Sequence, residues 1–429
     1  MISTATKRAS GTPTQIRERA LLVGATLANE RDEPQDADLR ELRALAETAG
    51  ADVVGPPITQ KLQTPNPAHY IGRGKLEEIQ HAAQDLKPDL VLFDDELSPS
   101  QQRNLEQALK IKVVDRPTLI LDIFAQRARS REGRLQVNLA QYQYLLPRLS
   151  SMWAEFSRTG GGIGTRGGPG EQELERERRR IRKRITDLEQ EIEQVRRQRR
   201  LHRQERAELA FPVVALVGYT NAGKSTLLNA LTDARTLVMD APFATLDPTV
   251  RKAKLPAGQE ILLSDTVGFI RKLPTTLVAA FRATLEELNE ADLLLQVVDV
   301  SEEAALDRLY WVRETLAEVG AQDKPVVTAL NKIDRLAPDR SLDYSRFQNP
   351  VAISAATGAG LERLLDKVQE SLLADFVPMR LHLPLSDGRL RELFRRRGVI
   401  EHERYTAEYV ALDGRVSRRL AGIFSPYAV

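Results

Sequence analysis

Lys224 and Ser225 are the residues whose types and setting point most directly to chemistry. A short apolar run at residues 213–217 leads straight into Gly218-Tyr-Thr-Asn-Ala-Gly-Lys-Ser225, and a helix-like pattern follows from Thr226. The two glycines let the backbone curl until its N–H groups face phosphate oxygens. Tyr219, Thr220, Asn221, Ala222 and Gly223 then form the cradle, Lys224 neutralises charge on the β- and γ-phosphates, and Ser225 offers a hydroxyl to Mg2+. Forty residues on, Asp265-Thr266-Val267-Gly268 ends a second apolar run. A carboxylate there can hold Mg2+ through water, and a glycine leaves backbone space beside a γ-phosphate. A third strand-like run ends in Asn331-Lys332-Ile333-Asp334. Guanine presents an N1–H and a 2-amino group on one edge, and one carboxylate can accept from both. Adenine has neither donor, so Asp334 selects GTP over ATP. Ser354-Ala355-Ala356 follows another short strand, where its backbone can meet the guanine carbonyl. A threonine between the P-loop helix and Asp265 should complete the Mg2+ shell, with Thr245 and Thr249 as the candidates. Lys224, the threonine, Asp265 and Gly268 are the residues expected to carry hydrolysis.

These residues need strand ends to position them, and the chain supplies two β/α series. In the first, strand-like segments at 20–27, 51–56, 90–94 and 112–114 alternate with helical patterns at 38–49, 74–86 and 98–109. That alternation predicts a parallel sheet covered by helices. Residues 119–149 read as one long helical arm. Residues 158–170 are too glycine-rich for regular structure. Leu174, Ile181, Ile185, Leu188, Ile192 and Val195 then step by seven, four, three, four and three, a coiled-coil seam that either two antiparallel helices or one long helix would satisfy. The second series has strand candidates at 213–217, 260–264, 293–299, 326–331 and 351–353. A last segment reads as a strand (381–385), a basic helix (388–397) and two strands around an Asp413-Gly414 turn. The expected fold class is therefore multi-domain α/β. It comprises a solvated start (1–19), an N-terminal parallel α/β domain (20–150), a glycine-rich loop with a helical stalk (151–209), a GTP-binding P-loop domain (210–375) and a small α+β C-terminal domain (376–429).

Composition narrows the partners. With 62 Lys and Arg against 60 Asp and Glu, the net charge is only +2, so any nucleic-acid contact must come from local basic patches. The absence of cysteine excludes disulfides and thiolate metal sites and fits a reducing cytosol. No apolar run approaches membrane-spanning length, and the first nineteen residues lack the apolar core of a secretory signal. A cytoplasmic location is expected, with transient membrane association left open.

The string Gly-Tyr-Thr-Asn-Ala-Gly-Lys-Ser-Thr, with Phe243-Ala-Thr-Leu-Asp-Pro-Thr249 and Asp265-Thr-Val-Gly-Phe-Ile270, resembles the Obg–HflX superfamily of translation-associated P-loop GTPases. The N-terminal half narrows the resemblance to the HflX family of ribosome-associated GTPases. The segments that carry it are Tyr70-Ile-Gly-Arg-Gly-Lys-Leu-Glu77, Phe93-Asp-Asp-Glu-Leu-Ser-Pro-Ser-Gln-Gln-Arg103, Asp115-Arg-Pro-Thr-Leu-Ile-Leu-Asp-Ile-Phe-Ala-Gln-Arg-Ala128, Gln136-Val-Asn-Leu-Ala140 and the 160–171 loop. That loop is one glycine longer than the family's usual form. The resemblance selects Thr245 over Thr249 and implies that Phe243, Ala244, Thr245, Leu246 and Asp247 line the GTP. It also implies binding to the large ribosomal subunit, splitting or rescue of stalled ribosomes under stress, and a potassium ion at Asn221, for which a turn-stabilising Asn is the alternative. Some relatives bind ATP through the N-terminal domain. Here Gly72-Arg-Gly-Lys75 lacks P-loop spacing and reads better as a helix start after a turn.

Many GTPases orient the attacking water with a glutamine directly after the Asp-x-x-Gly motif. The residue here is Phe269, which has no hydrogen-bonding group and reads as packing. A slow intrinsic rate, raised by a partner, is expected. Gly162, Gly164, Arg158 and Arg166 in the glycine loop are the candidate RNA contacts, because a basic, mobile tip can follow an irregular groove. The arginine-dense helices and the basic cluster at 389–397 are further candidates. Two other classes compete with a monomeric ribosome-bound GTPase: a regulatory switch dimerising through the coiled coil, and an ATP-dependent RNA remodelling enzyme.

Overall fold

The computed structural model describes residues 17–27, 35–149, 169–207, 211–232, 242–243, 249–272, 287–336, 343–374 and 376–429. Arg158, Gly162, Gly164, Arg166, Ala244, Thr245, Leu246 and Asp247 lie outside the described residues, as does most of the expected solvated start. The described residues fall into two compact units. One draws on Met1–Val195, Asp240–Leu246 and Lys272–Phe281, the other on the remaining segments.

The first unit is built on a parallel sheet, as the alternating pattern predicts. Its elements are β1 (Arg19–Leu27), α1 (Gln35–Ala49), β2 (Asp52–Val53), β3 (Ile58–Leu62), α2 (Arg73–Leu86), β4 (Leu90–Phe93), α3 (Pro99–Leu109) and β5 (Lys112–Asp115). The order is β2-β1-β4-β5, with β3 also paired to β1. Leu21, Leu22 and Val23 on β1 and all of β4 are buried, as helix-covered strands require. The single strand expected at 51–56 is instead two. Gly55 turns the chain at φ +70, and Pro56 and Pro57 have no N–H for the ladder. β2 therefore pairs with Arg19 and Ala20, and β3 resumes on Val23–Leu27.

The expected helical arm is also interrupted. α4 (Arg116–Arg127) and α5 (Arg131–Leu145) are separate, because Ser130 caps the second helix by accepting from Gly133 N at 2.9 Å. The coiled-coil pattern becomes one continuous helix, α6 (Pro169–Ala207). Its seam residues Ile185, Leu188, Ile192 and Val195 pack on Leu135, Leu139 and Tyr142 of α5. The partner of this seam is thus the chain itself.

The second unit opens with β6 (Val213–Gly218), followed by α7 (Lys224–Leu231), β7 (Thr249–Lys254), β8 (Glu260–Asp265), α8 (Glu287–Glu290), β9 (Leu293–Asp299), α9 (Ala305–Glu318), β10 (Val326–Asn331), β11 (Pro350–Ala352) and α10 (Leu361–Leu373). The strand order is β11-β10-β9-β6-β8-β7, parallel apart from β7, an antiparallel edge strand additional to the five expected. β6 runs between β8 and β9, so the loops leaving the carboxyl ends of β6, β8 and β10 emerge on one side of the sheet.

The chain ends in a three-stranded antiparallel sheet of β12 (Phe376–Pro384), β13 (Val399–Tyr405) and β14 (Tyr409–Ser417), with α11 (Gly388–Arg397) and α12 (Arg418–Phe424). The hairpin turn is not Asp413-Gly414, which lies within β14. The turn falls at Thr406, whose hydroxyl donates to Tyr409 O at 2.7 Å and whose N–H bonds the same oxygen at 3.0 Å. Gly414 is glycine for packing. A Cβ there would sit 2.2 Å from Val399 O and 2.9 Å from Phe394 Cε1. The basic helix is largely committed internally: Arg395 holds Glu403 at 2.9 Å, and Arg397 is buried with its guanidinium 5.7 Å from the Phe211 ring centre. Among the described residues, no helix is long and apolar enough to cross a membrane.

Candidate functional site

The loop after β6 adopts the curl expected of its glycines. Gly218 stands at φ +153 where a Cβ would lie 2.3 Å from Val297 O, and Gly223 at φ +94 where one would lie 2.3 Å from Asn331 Nδ2. Asn221, at φ +61, takes the left-handed conformation that Asn tolerates best after Gly. Lys224 begins α7 and curls back over the loop, donating to Gly218 O and Tyr219 O, both at 2.9 Å. Burial lowers the Lys224 pKa to about 8, while the nearby Asp265 carboxylate works against that shift.

Ser225 Oγ donates to Asp265 Oδ2 at 2.9 Å, so a hydroxyl and a carboxylate stand side by side at the ends of α7 and β8. Two hard oxygen ligands in that relation suit Mg2+. Thr266 anchors the next step by donating to Leu216 O at 2.6 Å. Gly268 then passes close to the loop: a Cβ on it would meet Thr220 Cγ2 at 2.9 Å and Lys224 Nζ at 3.0 Å. A Cβ at this position would crowd both the loop and the lysine. Val267 is buried beside it. Phe269 is also buried and pairs by backbone with the loop, its N–H to Gly218 O at 3.1 Å and its carbonyl from Thr220 N at 2.7 Å. It is a packing residue.

Asn331, at the end of β10, is buried and fully engaged. Its Nδ2 donates to Ala222 O at 2.9 Å and its Oδ1 accepts from Ala355 N at 2.9 Å. One side chain thus ties the phosphate loop to the Ser354–Ala356 turn. Ser354 is buried and its hydroxyl accepts from Thr357 N at 3.2 Å, whereas Ala356 is exposed. Lys332 adopts φ +66, and its ammonium meets Asp299 Oδ2 at 2.6 Å. Ile333 and Asp334 sit on a single 3-10 turn, and Asp334 is exposed. Phe243 is buried, edge-on to Phe124 with ring centres 4.6 Å apart. The structure therefore brings residues 218–226, 265–268 and 331–334 with 354–356 to the carboxyl ends of one sheet.

One contributor, Asp299, was not found by sequence reasoning. Asp299 positions Lys332 and is itself held by Ser301 N at 3.0 Å. An acidic residue ending a buried strand was its only signal. Tyr219 was counted as part of the cradle, but its hydroxyl also accepts from Arg271 N at 2.8 Å, beneath the Arg308 guanidinium at 4.9 Å from its ring centre.

A loop that curls on two glycines at the end of a parallel strand and folds a buried lysine back over itself is the arrangement of a P-loop nucleotide-binding protein. Models of known families agree: "GTP-binding GTPase N-terminal" matches residues 36–125, "GTP-binding GTPase Middle Region" 127–206 and "50S ribosome-binding GTPase" 213–332. Curated relatives named GTPase HflX include one from Caldanaerobacter subterraneus subsp. tengcongensis, 47% identical across 94% of this chain and 91% of that protein. One from Lacrimispora saccharolytica is 45% identical across 95% of both chains. The Escherichia coli protein is 43% identical across 93% of this chain and 92% of its own. The chain belongs to the HflX family of GTPases.

Proposed function

We propose that this GTPase binds the large ribosomal subunit and spends one GTP, released as GDP and phosphate, on splitting or rescuing stalled ribosomes under stress. The match of residues 213–332 to ribosome-binding GTPases carries that reading. In it, the N–H groups of residues 218–224 hold the phosphates, and Lys224 swings its ammonium from the loop carbonyls to the β- and γ-phosphates. Ser225, Asp265 and Thr245 hold Mg2+, which neutralises charge on those phosphates when bound. Gly268 gives backbone room at the γ-phosphate, and Asp334 accepts from the guanine edge. Asn221 is the protein's contribution to a potassium site, and equal hydrolysis in KCl and NaCl at matched ionic strength would remove it.

Phe269 supplies no polar group for the attacking water, so intrinsic turnover is slow and the ribosome raises it. The α5-filled seam of α6 favours a monomer over dimerisation through that helix. The ATP reading draws no support from Gly72-Arg-Gly-Lys75, since Gly72 precedes α2 as an ordinary helix start and Lys75 bonds Glu78 at 2.6 Å. The test is co-sedimentation with large ribosomal subunits in a non-hydrolysable GTP analogue, together with turnover measured with and without ribosomes. Binding and stimulation are expected, and deletion of residues 160–170 should abolish the binding while sparing free GTP. Turnover that ribosomes leave unchanged would count against the proposal.

A further inference from the structure

Beyond Gly268 the chain lies zipped along the phosphate loop. Tyr219 and Phe269 pair as parallel strands do: Phe269 N–H donates to Gly218 O at 3.1 Å, and Thr220 N–H to Phe269 O at 2.7 Å. A third bond, also buried, runs from Arg271 N–H to the Tyr219 hydroxyl at 2.8 Å. Two of these three bonds join backbone groups, which many sequences could make. The third needs a phenol oxygen at residue 219.

That ring is held in its turn. The Arg308 guanidinium covers it from α9, 4.9 Å from the ring centre, and is anchored to Glu302 at 2.5 Å. Tyr219, Phe269 and Arg271 are all buried. A phenylalanine at 219 would keep the ring and take from the Arg271 N–H its acceptor, so the hydroxyl adds one buried hydrogen bond to the zipped arrangement.

The zip lies at one end of the loop. Residues 222–224, where α7 begins, face the phosphate nearer the nucleoside, whereas Gly268 is the neighbour of the γ-phosphate. Thr220 N–H belongs to the cradle, yet here it serves Phe269 O. A carbonyl oxygen and a phosphate oxygen compete for that N–H and repel each other. A Cβ on Gly268 would also lie only 3.0 Å from Lys224 Nζ, so the zipped segment stands close against the ammonium. A third phosphate therefore enters at the expense of the zip. GDP, one phosphate shorter, leaves it closed.

We propose that the Tyr219 hydroxyl is a clasp on the Gly268–Arg271 segment and sets how strongly the protein prefers GTP to GDP. A ligand that binds only the open form loses affinity in proportion to the fraction of molecules that are open, and weakening the clasp raises that fraction. Tyr219 thus determines specificity by holding a neighbouring segment rather than by touching guanine. The proposal rests on the GTPase reading of the site.

The experiment compares full-length wild type with Tyr219→Phe, Arg308→Gln and the pair. GDP and a non-hydrolysable GTP analogue compete against a fluorescent GDP analogue in Mg2+, and hydrogen-exchange mass spectrometry follows the same proteins without nucleotide. Tyr219→Phe should raise the ratio of GTP-analogue affinity to GDP affinity about fivefold. Exchange in peptides spanning 268–271 should quicken by a similar factor. Arg308→Gln uncovers the ring and should move the ratio the same way by about twofold, adding nothing to Tyr219→Phe. A ratio unchanged or lowered in Tyr219→Phe overturns the proposal. So do unchanged exchange at 268–271, quickening spread over the whole chain, or an Arg308 effect that multiplies in the pair. Wild-type protein that binds neither nucleotide would sink the GTPase reading itself; binding with an unmoved ratio would sink the clasp alone.

Discussion

Asn331 is the side chain on which two separate loops depend, and its removal has a calculable cost. Its amide makes one hydrogen bond to Ala222 O and accepts one from Ala355 N, each 2.9 Å and each buried. Asn331→Ala forfeits both bonds, each worth about 1 kcal/mol net, and strands a buried carbonyl and a buried N–H that regain water only by opening the loops. The total comes to about 3 kcal/mol. If the P-loop and the 354–356 turn must be held together to seat the nucleotide, most of that cost falls on the bound state, roughly a hundredfold in affinity. Stopped-flow measurement of a fluorescent GDP analogue gives Kd, and urea unfolding gives the part charged to the free protein. The expected result is a Kd raised by about two orders of magnitude, chiefly through a faster off-rate, with only a small fall in the unfolding midpoint. A change below fivefold in Kd, with the midpoint unmoved, would refute the role of Asn331 as the tie between loops.

Other substitutions probe the base and the phosphates. Asp334→Asn exchanges one acceptor for a donor, which opposes the guanine 2-amino group but suits a carbonyl at the same ring position. GTP affinity should fall about a hundredfold while XTP affinity rises, and nucleotide competition would expose an unchanged order. Gly268→Ala places a methyl 3.0 Å from Lys224 Nζ, so GTP turnover should fall at least tenfold while GDP affinity changes little; single-turnover rates that match wild type would sink this. Lys224 titrates near pH 8 before nucleotide arrives, and phosphate restores its charge, so binding should take up about half a proton at pH 8 and about a tenth at pH 7. Between that pKa and the ordinary lysine value the unfolded chain holds more protons than the folded one, so nucleotide-free stability should rise with pH across this window. Calorimetry in buffers of differing ionisation heat reads the uptake directly, and none at pH 8 would contradict the burial argument.

The nucleotide loops were legible because each is a short string set at a strand end, and string, strand and order could all be read without tertiary contacts. The parallel sheets were legible for a related reason: buried strands such as Leu90–Phe93 have no polar face to disguise them. What escaped depended on distant partners. β7 is an exposed edge carrying Arg251, Lys252 and Lys254, with too weak an apolar alternation to announce itself. Asp413-Gly414 has the residue types of a turn, yet Phe394 and Val399 claim the space a side chain would need, and the strand runs on. The seam of α6 was visible, but not that α5 would fill it. Asp94 and Asp95 showed no sign of their engagement with Lys272, because nothing local links positions nearly 180 residues apart.

Lys224, Asp265 and Asp334 are argued to serve a single guanine triphosphate, and competition between GTP and ATP for the purified protein tests this most directly. With a fluorescent GDP analogue bound in Mg2+, GTP should displace it at concentrations at least about a thousandfold lower than ATP, because adenine offers Asp334 no donors. Displacement by ATP at the same concentrations as GTP, or by neither, would contradict the account.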